Sequence, residues 1–145
     1  MHERLLRFLL AEDDEDHAAL VLRTLQRSRV GNVVDHVRDG IEALDYLYGR
    51  DPYAGRPRPD VLLLDLNMPR LDGHEVLVKV KQDPDLCAIP TVILTTSDAE
   101  RDRVRAYRSH ANSYLVKPVD FAQFSQMVDE LNFYWGVWNR PARGD

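Results

Sequence analysis

The chain has a single cysteine, Cys87, so neither an intrachain disulfide nor a cysteine-based zinc site can form. Such sparing use of cysteine fits a reducing compartment. Long apolar runs are also missing: no stretch approaches the roughly 18 residues of a membrane span. The short apolar stretch Leu5 to Ala11 ends in the acids Glu12-Asp13-Asp14 rather than in a small-residue cleavage site, so no secretion signal is read. A soluble, cytoplasmic protein with no membrane association is expected. A net positive charge is lacking too. A formal net charge of −5 gives no broad basic field for gripping nucleic acid, and nucleic acid is not expected as a partner. With 7 glycines and 8 prolines among 145 residues, 44% of them hydrophobic, the composition excludes collagen-like, disordered and disulfide-stapled classes. What remains is one globular domain over residues 1–145, long enough to bury a single core.

Five short apolar runs recur along the chain: Leu5 to Ala11, Val33 to Val37, Val61 to Leu64, Thr91 to Thr95 and Tyr114 to Val116. They are β-branched or leucine-rich and too short for buried helices, so buried parallel strands suit them better. Helical stretches near residues 15–29, 40–49, 73–83, 98–109 and 120–138 separate and follow them. The repeated βα order predicts an α/β fold, a doubly wound parallel sheet with helices on both faces. The Pro/Gly-rich segment Gly49 to Pro59 reads as an exposed loop after the second helix.

In such sheets ligands bind beyond the carboxyl ends of the strands, where loops and helix N-termini converge. Strand one runs into Glu12-Asp13-Asp14, strand three ends at Asp65, strand four at Thr95-Thr96-Ser97 and strand five at Lys117-Pro118. Clustered carboxylates repel one another unless a cation joins them, and hard oxygen ligands with room for water are what Mg²⁺ selects. Taken alone, the run Glu12 to Asp14 reads equally well as a cap on the first helix. Asp65 is harder to account for that way, because a carboxylate at the mouth of a buried strand is costly to desolvate without a partner.

Glu12-Asp13, Asp65-Leu66-Asn67-Met68-Pro69 with Asp72-Gly73, Thr95, Tyr114 and Lys117-Pro118 together resemble the signature of a two-component response-regulator receiver domain. The likeness spans about residues 5 to 135, and the spacings of 30 residues from Asp65 to Thr95 and 22 from Thr95 to Lys117 resemble the family pattern, which favours Thr95 over Thr96. The resemblance implies a flavodoxin-like (βα)5 fold with strand order 2-1-3-4-5. It implies phosphoryl transfer from a sensor histidine kinase to Asp65, with slow self-dephosphorylation and no external metabolite turned over. It further implies Mg²⁺ held by Asp13, Asp65 and the Asn67 backbone carbonyl, with Glu12 acting through water. Lys117 would pair with one phosphoryl oxygen and Thr95 would donate its hydroxyl to another, after which Tyr114 would rotate from exposed to buried. A cis bond before Pro118 is implied as well. Two features depart from the pattern. Asp14 makes a third consecutive acid, and His110-Ala111-Asn112 stands where many relatives have a glycine-containing turn.

From Phe121 the apolar positions Phe121, Phe124, Val128, Leu131, Trp135 and Trp138 form one helical stripe, with Met127, Phe133, Tyr134 and Val137 off it. Aromatic surface outside the stripe predicts a homodimer, with Phe133, Tyr134 and Trp138 near the contact and Arg101, Arg105 or Arg108 facing acids such as Asp129 and Glu130 of a second chain. A receiver with this terminal helix and a Leu-Thr-Thr-Ser strand end resembles the small response regulators partnered with bacterial phytochromes. Two other classes share parts of the pattern. A dehalogenase-like phosphohydrolase would place a second aspartate where Asn67 stands. A flavodoxin-like cofactor carrier would place a phosphate-cradling loop where Glu12-Asp13-Asp14 stands.

Overall fold

The computed structural model describes residues 5–27, 31–120, 122–127 and 129–130. Five parallel strands, β1 (Leu6–Ala11), β2 (Asn32–Val37), β3 (Val61–Leu64), β4 (Thr91–Thr95) and β5 (Ser113–Val116), form one sheet in the order β2-β1-β3-β4-β5. Between them lie α1 (Glu15–Gln26), α2 (Gly40–Tyr48), α3 (Gly73–Gln82) and α4 (Glu100–Arg108), and residues 122–127 and 129–130 are helical as well. The expected strand order is therefore the observed one, and the strands lie within one residue of their expected limits.

Burial explains why the strands read as unbroken apolar runs. Both faces of the sheet are covered, so β3 and β4 are buried at every position. On one face Leu9, Leu62, Leu64 and Ile93 pack against α2, α3 and α4 through Leu47, Leu77 and Ala106. On the other, Phe8, Leu10, Leu63 and Leu94 pack against α1 and the last helical stretch through Ala18, Leu25, Phe124 and Met127. Met127 is thus a core residue, 4% exposed, and not part of the uncovered surface expected of it. Its helix follows the sheet with a wider apolar arc than the single stripe implied.

Aspartates start three helices. Asp14, Asp39 and Asp72 cap α1, α2 and α3 through backbone N–H groups of His17 at 3.0 Å, Glu42 at 2.8 Å and Glu75 at 2.9 Å. The fourth helix has no side-chain cap and starts at Glu100, two residues later than expected. There Ser97 accepts from the Ala99 N–H at 3.3 Å and donates to Asp102, which holds residues 97–99 extended. At its other end, α1 stops at Gln26 rather than near residue 29, where the Arg27 N–H turns back to the Thr24 carbonyl at 3.2 Å. The loop after α2 docks by Tyr53 against Tyr46, ring centroids 5.2 Å apart, and by Arg56 to Asp35 at 3.4 Å. It leads into Asp60, whose carboxylate accepts from the Arg7 N–H at 2.8 Å beside the starts of β1 and β3, on the side opposite the strands' carboxyl ends.

His110 occupies the left-handed position just after α4, at φ 73°, and the Ala111 N–H reaches back to the Ala106 carbonyl at 3.0 Å. That is the helix ending in which glycine is usual, so the departure noted in the sequence is taken up as local backbone strain at His110. Holding a residue with a side chain there costs roughly 1–2 kcal/mol, against the roughly 0.5–1 kcal/mol that glycine loses in folding entropy. His110→Gly is expected to raise the urea midpoint by a margin worth about 0.5–1 kcal/mol with the denaturant slope unchanged, measured by equilibrium unfolding.

Candidate functional site

β1 and β3 are neighbours although β2 separates them in sequence, so the order reverses between them. A ligand crevice opens at such a point in an open α/β sheet. The register pairs Ala11 with Leu64, and the Asp65 N–H donates to the Ala11 carbonyl at 3.1 Å, so Glu12 and Asp65 leave the sheet side by side. Carboxylate oxygens of Glu12, Asp13 and Asp65 lie within 4.8 Å of one another. Glu12 is 1% and Asp65 6% exposed, whereas Asp13 faces solvent. Three hard oxygen donors converging beneath an open side suit a divalent cation that keeps some of its water. Asp14 is excluded from this set by its work as the α1 cap, so the capping reading holds for the third acid and not for the first two.

The fourth charged group comes from farther away. Strands lie about 4.8 Å apart and β5 is two strands from β3, a gap of roughly 10 Å that lysine and carboxylate bridge from opposite sides. Lys117 spans most of it. Its N–H donates to the Thr95 carbonyl at 2.7 Å, its bond to Pro118 is cis, and its ammonium, at the tip of a side chain 9% exposed, hydrogen-bonds Glu12 and lies 3.4 Å from Asp65 Oδ2. Burial is the main influence on Glu12 and raises its pKa above the ordinary carboxyl value, while the Lys117 hydrogen bond pulls it the other way.

The loop from Asp65 to Gly73 turns within the space its small residues leave. The Asn67 N–H caps Asp65 Oδ1 at 3.2 Å, and the Gly73 N–H returns to the Leu66 carbonyl at 2.9 Å. A Cβ on Gly73 would stand 2.0 Å from the Asp65 carbonyl oxygen, and one on Gly40 would stand 2.0 Å from that of Leu71. Both glycines are required by backbone contact. Arg70, at φ 69°, reaches Asp39 at 3.3 Å and fastens the loop to the start of α2.

Thr95 ends β4 fully buried, and its hydroxyl oxygen accepts from the Ser97 N–H at 3.3 Å; Thr96 is exposed. Tyr114 was expected to start exposed. It is 4% exposed, with its hydroxyl donating to the Ser97 carbonyl at 3.0 Å and Arg103 4.7 Å over its ring. This pocket beside α4 buries the ring. Arg101, Arg105 and Arg108 are exposed on α4, and Asp129 and Glu130 are exposed on the last helical stretch. Phe133, Tyr134 and Trp138 lie outside the described residues, as do Phe121, Val128, Leu131, Trp135 and Val137. Two histidines escaped the sequence reading. His36 Nε2 donates to the Glu12 carbonyl at 2.7 Å, and His17 Nδ1 lies 3.1 Å from the Lys117 ammonium. Their distances along the chain from Asp65 carry no motif; only the strand register and the first turn of α1 bring them in.

The fold and the crevice define a doubly wound α/β domain whose acids and lysine meet at one sheet end. Residues 8–129 match the family model described as the response regulator receiver domain. The chain is 46% identical over 132 residues to the "Probable methanogenesis regulatory protein FilR2" of Methanothrix harundinacea, covering 91% of this chain and 84% of that protein. It is 40% identical over 127 residues to the response regulator Rcp1 of Synechocystis, covering 88% and 86%. Among solved structures, the bacteriophytochrome response regulator RtBRR superposes with a TM-score of 0.82 at 43% identity, over 97% of this chain and 86% of that one. The Mn²⁺-bound form of Rcp1 superposes with a TM-score of 0.77 at 36% identity, over 94% and 96%. The chain belongs to the receiver domain family of two-component response regulators. Its function is phosphorylation-based signalling, which implies a phosphodonor kinase, and neither competing class is favoured.

Because Glu12 has a raised pKa in the folded state, its contribution to stability is full below about pH 4.5 and is lost as pH rises through the folded value. Glu12→Gln is expected to flatten that part of the stability profile in protein freed of divalent ions, with urea unfolding between pH 4 and 7 as the measurement.

Proposed function

We propose that Asp65 is the phosphoacceptor and that the crevice holds Mg²⁺ through Asp13, Asp65 and the Asn67 carbonyl, with Glu12 acting through water. The observation that carries this reading is the meeting of Asp65, Glu12 and the Lys117 ammonium at one strand-order reversal. An Asp65 carboxylate oxygen attacks the phosphorus of a phosphohistidine; a P–O bond forms as the donor's N–P bond breaks and the imidazole leaves. Negative charge on the transferring group must be neutralised while its geometry is fixed. A bound Mg²⁺ supplies part of that neutralisation. Lys117 supplies a fixed positive charge on the strand-five side, and the Thr95 hydroxyl donates to another phosphoryl oxygen. Attack of water on the acyl phosphate later restores the Asp65 carboxylate and releases inorganic phosphate, with no other substrate turned over.

The donor we propose is the histidine kinase of a bacterial phytochrome in the cytoplasm, on the strength of the likeness to RtBRR. Among the described residues no helix is long and apolar enough to cross a membrane. We further propose one receiver unit that forms a homodimer through α4 and the last helix. Exposed Arg101, Arg105 and Arg108 and exposed Asp129 and Glu130 support a charged contact there, with Phe133, Tyr134 and Trp138 as its apolar part.

Asp65→Asn should abolish Mg²⁺-dependent labelling by acetyl phosphate or by the kinase, with circular dichroism unchanged, because the amide is similar in shape but a poor nucleophile. Asp13→Asn should weaken Mg²⁺ in titration, whereas Asp14→Ala should leave Mg²⁺ affinity alone and cost about 1 kcal/mol of stability as a lost helix cap. For the dimer, sedimentation across micromolar concentrations should show wild-type association that Arg101→Glu with Arg105→Glu weakens. A wild type that stays monomeric with and without phosphorylation would end that part of the reading.

A further inference from the structure

The ammonium of Lys117 has three N–H donors and meets three acceptors. Two are carboxylates, Glu12 and, at 3.4 Å, Asp65; the third is His17 Nδ1 at 3.1 Å. An ammonium has no lone pair, so the ring nitrogen facing it must accept, which puts the proton of a neutral His17 on Nε2. The backbone of His17 is held in the first turn of α1, with its own N–H on the Asp14 cap at 3.0 Å. Its side chain is 34% exposed.

The three partners differ in what their release would cost. Bonds from an ammonium to carboxylates join opposite charges, whereas the bond to an imidazole nitrogen has its charge on the donor alone. Imidazole carries no opposing charge, so the bond to His17 is the one an incoming anionic oxygen displaces most readily. We infer that His17 is a positioning residue for phosphoryl transfer: its Nδ1 lone pair holds one N–H of Lys117 until a phosphoryl oxygen takes that N–H over. Without it, the third N–H loses its protein acceptor, and only the two carboxylates are left to hold the orientation of the ammonium. The inference rests on the assignment of Asp65 as phosphoacceptor.

The test compares wild type, His17→Leu and His17→Asn, with Asp65→Asn as the control for the site itself. Asparagine can place its amide oxygen near the position of Nδ1, whereas leucine fills the space with no acceptor. With acetyl phosphate, which removes any effect of kinase docking, His17→Leu should label about tenfold more slowly, the scale of one hydrogen bond involving a charged group. His17→Asn should return to within a few-fold of wild type. A second readout needs no phosphoryl donor: in protein freed of divalent ions, nitrogen–proton correlation spectra of the His17 ring should show the Nε2–H form, and Lys117→Met should shift the balance of forms. A leucine variant as fast as wild type, an asparagine variant as slow as a folded leucine variant, or a ring spectrum indifferent to Lys117→Met would each overturn the inference. If wild type is not labelled, or Asp65→Asn is labelled equally, the assignment of Asp65 fails and the role of His17 in transfer falls with it; the ring spectrum then still decides whether the bond to Lys117 exists.

Discussion

Acids gathered at one end of a sheet repel one another, and the crevice depends on how that repulsion is offset. Two unit charges at 4.8 Å repel by about 3.5 kcal/mol at an effective dielectric of about 20, and oxygens of Glu12, Asp13 and Asp65 lie within that distance. The Lys117 ammonium stands between two of them and makes the cluster tenable in the protein alone. The offset is incomplete, since burial still dominates at Glu12 and raises its pKa. A site left with excess negative charge retains a demand for a further cation, and this links the fold's electrostatics to the metal dependence proposed for it.

Each partner in this balance is placed by backbone rather than by side-chain packing. The pairing of Ala11 with Leu64 sets Glu12 beside Asp65, and the pairing of Thr95 with Val116 sets the start of Lys117. Lysine has the reach to cross from β5 to β3 with a compact charge at its tip, which a shorter base would lack. The loop after Asp65 closes only because Gly73 and Gly40 let backbone approach backbone. An added methyl at either position would push the carboxylate loop away from the ammonium.

Much of this was legible in the sequence because parallel strands buried on both faces leave a strong signal. Val61 to Leu64 has no polar residue to confuse it, and acids at the ends of such runs mark the ligand side of the sheet. Capping was ambiguous for the opposite reason: Glu12, Asp13 and Asp14 are chemically alike, and only the N–H groups donating to Asp14 separate the cap from the two acids that face Asp65. His17 and His36 were invisible, because their relation to the crevice is one of register and helix phase. Met127 was misplaced by treating its helix as one narrow stripe, although a helix lying along a sheet can bury a wider arc. The inward place of Tyr114 carries no signal in the sequence; desolvating its ring costs little once the Ser97 carbonyl accepts from its hydroxyl.

That last contact bears on how charge at Asp65 could be felt at α4. Ser97 holds three groups at once: its N–H donates to the Thr95 hydroxyl oxygen, its carbonyl accepts from Tyr114, and its own hydroxyl donates to Asp102 on α4. The first bond uses a lone pair of Thr95 and leaves the hydroxyl proton available, so Thr95 can donate to a phosphoryl oxygen without first giving up Ser97. On the proposed reading, a pull on Thr95 is therefore transmitted along intact hydrogen bonds to Tyr114 and Asp102. Arg103, lying over the Tyr114 ring, belongs to the same helix as Arg101 and Arg105. From Thr95 the connection to α4 then runs through one serine, by hydrogen bonds that reach Tyr114 on one side and Asp102 on the other.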